Sequence, residues 1–298
     1  MRSFVLLMLL ASAATAADQC RRDSDCGTGK TCIANRCTAS REEEAAVGAG
    51  MALQYTKNTW PMSIVDRPLV VAPGMTEASL GFNKDLTADL GITNQPHPLG
   101  MAATARFGVS DRIHAGLDIL TLCLTDCEPT GAFSTLSVGA GYAVVANRDM
   151  NFVPALTMSI NNVPTFSATS GLGSTIALAI SPGFLFGYRV NQAFQLFATG
   201  GFIFPLTARD DTPDLLGVHV EPRFQLAPRF SIAPYVGYQL SLKDTSFYLV
   251  PVGVNLLIIA DRAFDVGAGF ELNDVSARRA GSTWSDFRSF NIFGTIRL

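Results

Sequence analysis

Hydrophobic and polar residues alternate with a period of two along most of the chain after Met75. In LLGVHVEPRFQLAPRFSIAPYVGYQL, residues 215–240, apolar residues take one parity and polar or small residues take the other. Such alternation predicts β-strands with two chemically different faces. Twelve strands are predicted, at approximately residues 75–86, 98–109, 113–122, 132–146, 150–161, 173–189, 193–208, 214–227, 230–242, 246–260, 264–276 and 286–298. The chain is therefore expected to be all-β.

Short and long connections alternate between these strands. Links such as Ser110–Arg112 are short, whereas TADLGITNQPH and NNVPTFSATSGLG are long, and the short link Lys243–Thr245 is an exception where a long loop is expected. Inside hydrocarbon every backbone group needs a partner, so a membrane sheet must close on itself. A closed barrel with an even number of strands has its short turns and both termini on one side. The pattern predicts a transmembrane antiparallel β-barrel of about 12 strands over residues 75–298.

The two faces of the predicted strands differ in chemistry. In FDVGAGFELN, residues 264–273, the apolar parity alternates with Asp, Gly, Glu and Asn. In the segment 215–240 the polar parity carries His219, Glu221 and Arg223. Because the polar parity is rich in small residues, it fits an enclosed, wet and narrow interior better than the surface of a soluble sheet. The apolar parity is accordingly expected to face lipid.

Composition supports a membrane sheet and excludes other classes. The chain has 22 basic and 25 acidic residues, so its net charge of -3 gives no electrostatic case for nucleic-acid binding. Charged residues make up 16% of the chain, below the roughly 25% of soluble domains. Beyond the N-terminus there is no run of about 18 uncharged apolar residues, which argues against a membrane-spanning helix.

The N-terminal segment MRSFVLLMLLASAATAA, residues 1–17, has the features of a secretory signal peptide. A lipid anchor at Cys20 is the less favoured alternative. A disulfide-rich module is predicted over residues 18–38, followed by a linker and strap over 39–74. The strap contains TWPMSIVDRPLVVAPGM, whose prolines resist a continuous β-ladder.

Six cysteines in an exported chain predict disulfides. They are Cys20, Cys26, Cys32, Cys37, Cys123 and Cys127. The first four allow three connectivities, among which the sequence does not choose. A bridge from Cys123 to Cys127 would close a tight loop. A zinc site among the first four is disfavoured because the paired C-x-x-C spacing is missing, and neither a metal nor a cofactor is predicted.

The few charged residues of the polar parity are the candidate functional groups. The pore-lining candidates are Glu77, Arg106, Asp118, His219, Glu221, Arg223, Glu271 and Arg297. Three of them, Glu77, Arg106 and Arg297, either cluster across the seam where the last strand meets the first or are solvated separately in a wide pore. Such residues either set the ion preference of a pore or fill the interior with ion pairs, and filling is the favoured interpretation.

Catalysis is not predicted. The chain has three histidines, His97, His114 and His219. A Ser-His-acid triad requires hydrogen-bond reach among its members, and no G-x-S-x-G motif supports one.

The C-terminal segment RSFNIFGTIRL resembles the terminal strand of bacterial outer-membrane β-barrels, the porin-like and transporter-like superfamily. The hairpin FGVSDRIHAGLDI and the segment DRPLVVAPGM are similar to segments of the same superfamily, although Leu298 departs from its usual terminal Phe. The resemblance covers residues 60–298. It implies the outer membrane of a Gram-negative bacterium, with lipid around the barrel and recognition of the last strand by the barrel-assembly machinery.

A passive channel for small solutes is the favoured function, with the N-terminal module in the periplasm. The alternatives are a non-conducting structural or adhesive barrel, whose cysteine-rich module binds a periplasmic partner, and a secreted soluble β-sandwich.

Overall fold

Twelve antiparallel strands dominate the structure, a computed structural model that describes residues 30–33, 36–39, 55–86, 99–125, 133–167, 171–210, 212–276 and 288–298. The strands are β1 Thr76–Asp85, β2 Leu99–Ser110, β3 Ile113–Thr125, β4 Phe133–Tyr142, β5 Met150–Ser167, β6 Gly171–Arg189, β7 Phe194–Pro205, β8 Leu215–Ala227, β9 Phe230–Ser241, β10 Val252–Ile259, β11 Phe264–Leu272 and β12 Arg288–Arg297. In the part of the chain that is described, no helix has the length and apolar character needed to span a bilayer.

The sheet closes on itself into a barrel. Each strand pairs with its neighbours in the chain, and β12 pairs with β1, where Arg297 lies opposite Glu77. Mutual backbone hydrogen bonds between Thr76 and Leu298 complete this seam. Closure gives each of the twelve described strands a partner on both sides, as a sheet in hydrocarbon requires. The predicted twelve-stranded antiparallel barrel is thus confirmed.

One predicted loop is instead part of a long hairpin. β5 extends to Ser167 and β6 begins at Gly171, and the two strands remain in register up to this last pair. Continued pairing gives backbone partners to residues 161–167 and 171–173, which a loop would leave to water. The strands have 18 and 19 residues, more than the roughly 9–11 that cross a bilayer. The prediction of a long loop was therefore wrong here.

The tenth predicted strand is broken by a proline. Tyr248–Leu249 pairs with β9, and β10 begins only at Val252. Between them Pro251 lacks an N–H for the ladder, although its carbonyl accepts a hydrogen bond from the Gly237 N–H. The turn itself is short, because the Ser241 N–H already donates to the Phe247 carbonyl and Leu240 lies opposite Tyr248, so the short link predicted around Lys243–Thr245 is present.

The apolar parity forms the outer wall of the barrel. Large outward side chains that remain exposed include Leu80, Phe107, Leu117, Val138, Leu156, Ile176, Val218, Val236, Ile258, Val266 and Ile292. The opposite parity points inward and includes buried charged residues such as Asp265 and Arg297. The alternation in the sequence therefore corresponds to the two faces of the barrel.

Two clusters of buried apolar residues involve the strap. The strap, here residues 55–74, contains two short 3-10 turns, Lys57–Thr59 and Ile64–Asp66. One cluster joins Trp60, Val71, Ala72 and Met75, with Tyr55 packed against it.

A second cluster joins Leu69 and Val70 of the strap to Ala143 and Val153. β4 ends at Tyr142, but Val145–Ala146 pairs with β5 again, close to the predicted end at 146, and the fully buried Ala143 between them belongs to this cluster. The strap thus supplies a core to a barrel that has no second sheet.

A separate unit, Met1–Met51, contains a small hairpin in which Lys30–Ile33 pairs with Arg36–Ala39. Its register places the backbone of Cys32 opposite that of Cys37. The signal peptide, Cys20, Cys26 and Cys127 lie outside the described residues, as do the side chains of Cys32, Cys37 and Cys123. The disulfides stay a prediction.

Candidate functional site: the barrel lumen

A cavity of about 430 Å³ lies inside the barrel, and no strap residue lines it. Its polar lining residues are Arg106, His114, Asp118, Thr157, Ser181, Thr199, His219 and Gln239. Its glycines are Gly116, Gly139, Gly183, Gly200, Gly201, Gly217 and Gly237. At Gly217 a Cβ atom would meet nothing within 4 Å, so the missing side chain leaves this space open. Gly217 therefore widens an interior that a larger side chain would fill, whereas at Gly139, Gly183, Gly201 and Gly237 a Cβ atom would lie within 3 Å of the wall.

One wall of the lumen carries a hydrogen-bonded charge network. Arg223 donates from Nε to Glu221 Oε1 at 2.5 Å, and its guanidinium lies 3.8 Å from the centre of the Phe197 ring. The second Glu221 oxygen lies 3.7 Å from His219 Nε2. The His219 ring packs on Tyr235 with 4.8 Å between centroids. These groups hold each other in place, so the fixed charges of Glu221 and Arg223 face the lumen as a pair.

The Tyr235 hydroxyl donates a short hydrogen bond to Glu271. This bond connects β9 to β11 across the lumen-facing side of β10. Asp118, near the cavity, accepts a hydrogen bond from the Ser137 hydroxyl at 3.4 Å. The predicted lumen residues Asp118 and Glu271 thus have single hydroxyl partners rather than cationic ones among the described residues.

A cluster of two arginines and two carboxylates lies at the short-turn end of the lumen. Arg297 donates from Nε to Glu77 at 2.8 Å and from a terminal nitrogen to Asp265 at 2.6 Å. Arg67 of the strap donates to both oxygens of Asp265, at 2.6 and 3.0 Å. Asp265 is almost fully buried and receives all three bonds. We call these four residues the seam cluster.

The seam cluster differs from the predicted group in its members. Glu77 and Arg297 are paired, but Arg106 forms no ion pair within the described part of the chain, although its backbone lies opposite Glu77. Arg67 was missed because it lies in the proline-rich strap, where no periodicity indicates which way a side chain points. The single signal for Asp265 is its place in the polar parity of β11.

Two further polar contacts attach the strap to other walls. Asp66 forms an ion pair of 2.8 Å with Arg189 at the end of β6. The Ile64 N–H donates to the Gln225 side chain on β8 at 2.8 Å. Together with Asp265 on β11, these contacts reach three separate parts of the barrel wall. The strap therefore crosses the lumen at its short-turn end.

Several buried polar atoms at this crossing have no hydrogen-bond partner in the described structure. They include Trp60 Nε1 and Ser63 Oγ on the strap and Arg189 Nε on the wall. His114, at the edge of the cavity and 6% exposed, likewise has an unpartnered Nδ1. His97 lies outside the described residues. No group of three or more His, Cys, Asp or Glu residues that could hold a metal ion occurs in the described ranges.

Many solved structures resemble the barrel, and two of them are a porin and a channel. The first is a structure of the NanC porin, with 10% sequence identity, a TM-score of 0.50 and coverage of 75% of this chain and 100% of that chain. The second is an outer membrane channel from Pseudomonas putida F1, with 12% identity, a TM-score of 0.51 and coverage of 77% and 97%. No family model and no curated protein matches the chain. At such identities the likeness concerns the fold alone, and this chain has the fold of the outer-membrane porins.

Proposed function

We propose that the chain is an outer-membrane channel for the passive passage of small polar solutes. The observation that carries the proposal is the cavity of about 430 Å³ inside a closed barrel with an apolar outer wall. A barrel of twelve strands has an interior between those that side chains fill and those that form wide aqueous pores. The two structural neighbours are named as a porin and as a channel, which agrees with this function.

The chemistry of the lumen favours hydrophilic solutes. Hydroxyl, amide and charged groups line the cavity, among them Thr157, Ser181, Thr199 and Gln239. Water and a polar solute can exchange hydrogen bonds with such groups during passage, whereas an apolar solute cannot. The Glu221–Arg223 pair offers both signs of charge on one wall, so modest rather than strict ion selectivity is expected.

The topology also supports an orientation. Both ends of the barrel chain and the short turns lie at one end, which in bacterial barrels is the periplasmic side. The cysteine-rich module would then lie in the periplasm, and β12 would be the strand that the assembly machinery reads. Protease added to intact cells should leave the module uncleaved, and cleavage from outside would contradict the orientation.

Conductance across a planar bilayer tests the channel directly. The refolded full-length protein, with its disulfides intact, should produce discrete current steps. A properly folded barrel is recognised by its heat-dependent shift on a gel. If neither the wild-type barrel nor a variant that lacks the Arg67–Asp265 contact conducts, the channel is refuted and the non-conducting structural role gains support.

A further inference from the structure

The strap is attached to the lumen in a way that allows it to leave. All twelve strands of the barrel pair without it, and a single bridge between Pro73 and Gly108 connects it to the sheet. Its other polar attachments to the wall are side-chain contacts, of which the Arg67–Asp265 pair is bidentate. Departure of the strap would thus break no strand pairing within the barrel.

A hinge lies where the strap joins β1. Gly74 has a φ of +71°, in the left-handed region that favours glycine, and a Cβ atom there would meet nothing within 4 Å. The next residues, Met75 and Thr76, are already bonded to the barrel backbone. The Gly74 N–H donates to the Gly108 carbonyl at 2.8 Å, so rotation at Gly74 would break this bond and the Pro73–Gly108 bridge and move the strap while β1 stays in place.

At the seam the ion pairs of the wall survive release of the strap, whereas Arg189 loses its pair with Asp66. Asp265 keeps its bond to Arg297, which in turn keeps Glu77. The unpartnered atoms Trp60 Nε1, Ser63 Oγ and Arg189 Nε would gain access to water. Release would also expose apolar strap residues such as Trp60, Val65 and Leu69, so the seated state predominates at rest.

We propose that residues 55–74 form a gate at the periplasmic end of the lumen, latched by Arg67 on Asp265 and hinged at Gly74. With the gate seated, the strap crosses the path of a solute. With the gate released, the lumen is open from the cavity to the short-turn end. This inference rests on the proposed channel function and adds its regulation.

A matched pair of variants tests the latch. Arg67→Met removes the bidentate pair while retaining a long side chain. Arg209→Met is the control, because it removes the exposed Arg209–Asp214 pair at the other end of the barrel. In planar bilayers Arg67→Met should raise the open probability about tenfold or more over the wild type, and Arg209→Met should leave it unchanged. Equal open probability in wild type and Arg67→Met overturns the gate.

A second measurement reports the strap without relying on conductance. The chain has two tryptophans, so Trp284→Phe leaves Trp60 as the single fluorescent tryptophan. Trp60 is a buried member of the cluster formed with Val71, Ala72 and Met75. Acrylamide should quench its fluorescence weakly in that background and at least about threefold more strongly after Arg67→Met. Unchanged quenching overturns the gate even if the barrel conducts.

The two readouts separate the gate from the channel. Stronger quenching of Trp60 without any current in either protein supports a movable strap but refutes the channel. Steady current with no difference between Arg67→Met and wild type supports the channel but refutes the gate.

Discussion

Replacing Asp265 by Asn should destabilise the barrel more than any exposed charge substitution. Asp265 accepts two charged hydrogen bonds from Arg67 and one from Arg297, and its side chain is 2% exposed. Charged hydrogen bonds contribute about 1.5–3 kcal/mol each. The amide of the variant keeps one acceptor oxygen and so retains part of the bonding, and burial of the carboxylate no longer opposes folding.

The larger effect comes from the arginines that remain. The Asp265→Asn substitution would leave Arg67 without a counter-ion and Arg297 with Glu77 alone. Removing one partner of a buried ion pair typically costs about 3–5 kcal/mol, and we expect Asp265→Asn to lower the free energy of unfolding by that amount.

Denaturant titration of the refolded protein in detergent micelles measures this difference. The matched control is Asp214→Asn, which breaks the exposed pair with Arg209 and should cost at most about 1 kcal/mol. The double variant Arg67→Met/Asp265→Asn should be less destabilised than the sum of its single variants, since the unpaired guanidinium is gone. If Asp265→Asn costs no more than Asp214→Asn, the assignment of the seam cluster as a buried stabilising unit is wrong.

Three other predictions concern the lumen and one loop. Gly217→Phe should at least halve the single-channel conductance because its side chain would enter open lumen space, whereas Val236→Phe, on the exposed outer face and outside the cavity lining, should not change it. Glu221→Gln should shift the reversal potential towards anions, because Arg223 loses its carboxylate, and Arg223→Gln should shift it towards cations. Ser246→Ala should raise the pKa of Asp244, which the Ser246 hydroxyl and N–H hold below its usual value. The Asp244–Ser246 hydrogen bonds order this loop at pH values above the pKa of Asp in the unfolded chain. This order is lost as the pH falls through the lowered pKa of Asp244 in the folded protein. An NMR titration would show both the pKa change and the loss of order.

The barrel could be predicted from the sequence because every strand has the same alternation of outward and inward residues. Each of β1–β12 alternates between lipid and lumen, so period two appears wherever the chain crosses the sheet. The wrong predictions concern places where this alternation is no longer required. The hairpin β5–β6 continues beyond the bilayer, where lipid no longer requires one face to be apolar. Pro251 interrupts the hydrogen-bond ladder because proline has no backbone N–H.

The position of the strap could not be predicted in the same way. Its contacts depend on residues far apart in sequence, such as Arg67 and Asp265, which are separated by 198 positions. An irregular segment with three prolines has no period that shows which side is buried. The seam pairing of Glu77 with Arg297 was predictable, since closure makes the first and last strands neighbours, but the partners of Arg297 inside the lumen were not.

The seam also has a consequence for the order of assembly. Asp265 binds one arginine that precedes the whole barrel and another that is the penultimate residue of the chain. The strap is synthesised before any wall exists around it, whereas Arg297, at the end of β12, follows the other eleven strands. We therefore expect β1 to pair with β12 in the same late step that encloses the strap. In this step long-range contacts compensate a large loss of chain entropy. Loss of the two C-terminal residues alone would leave both the wall and its internal segment unfinished.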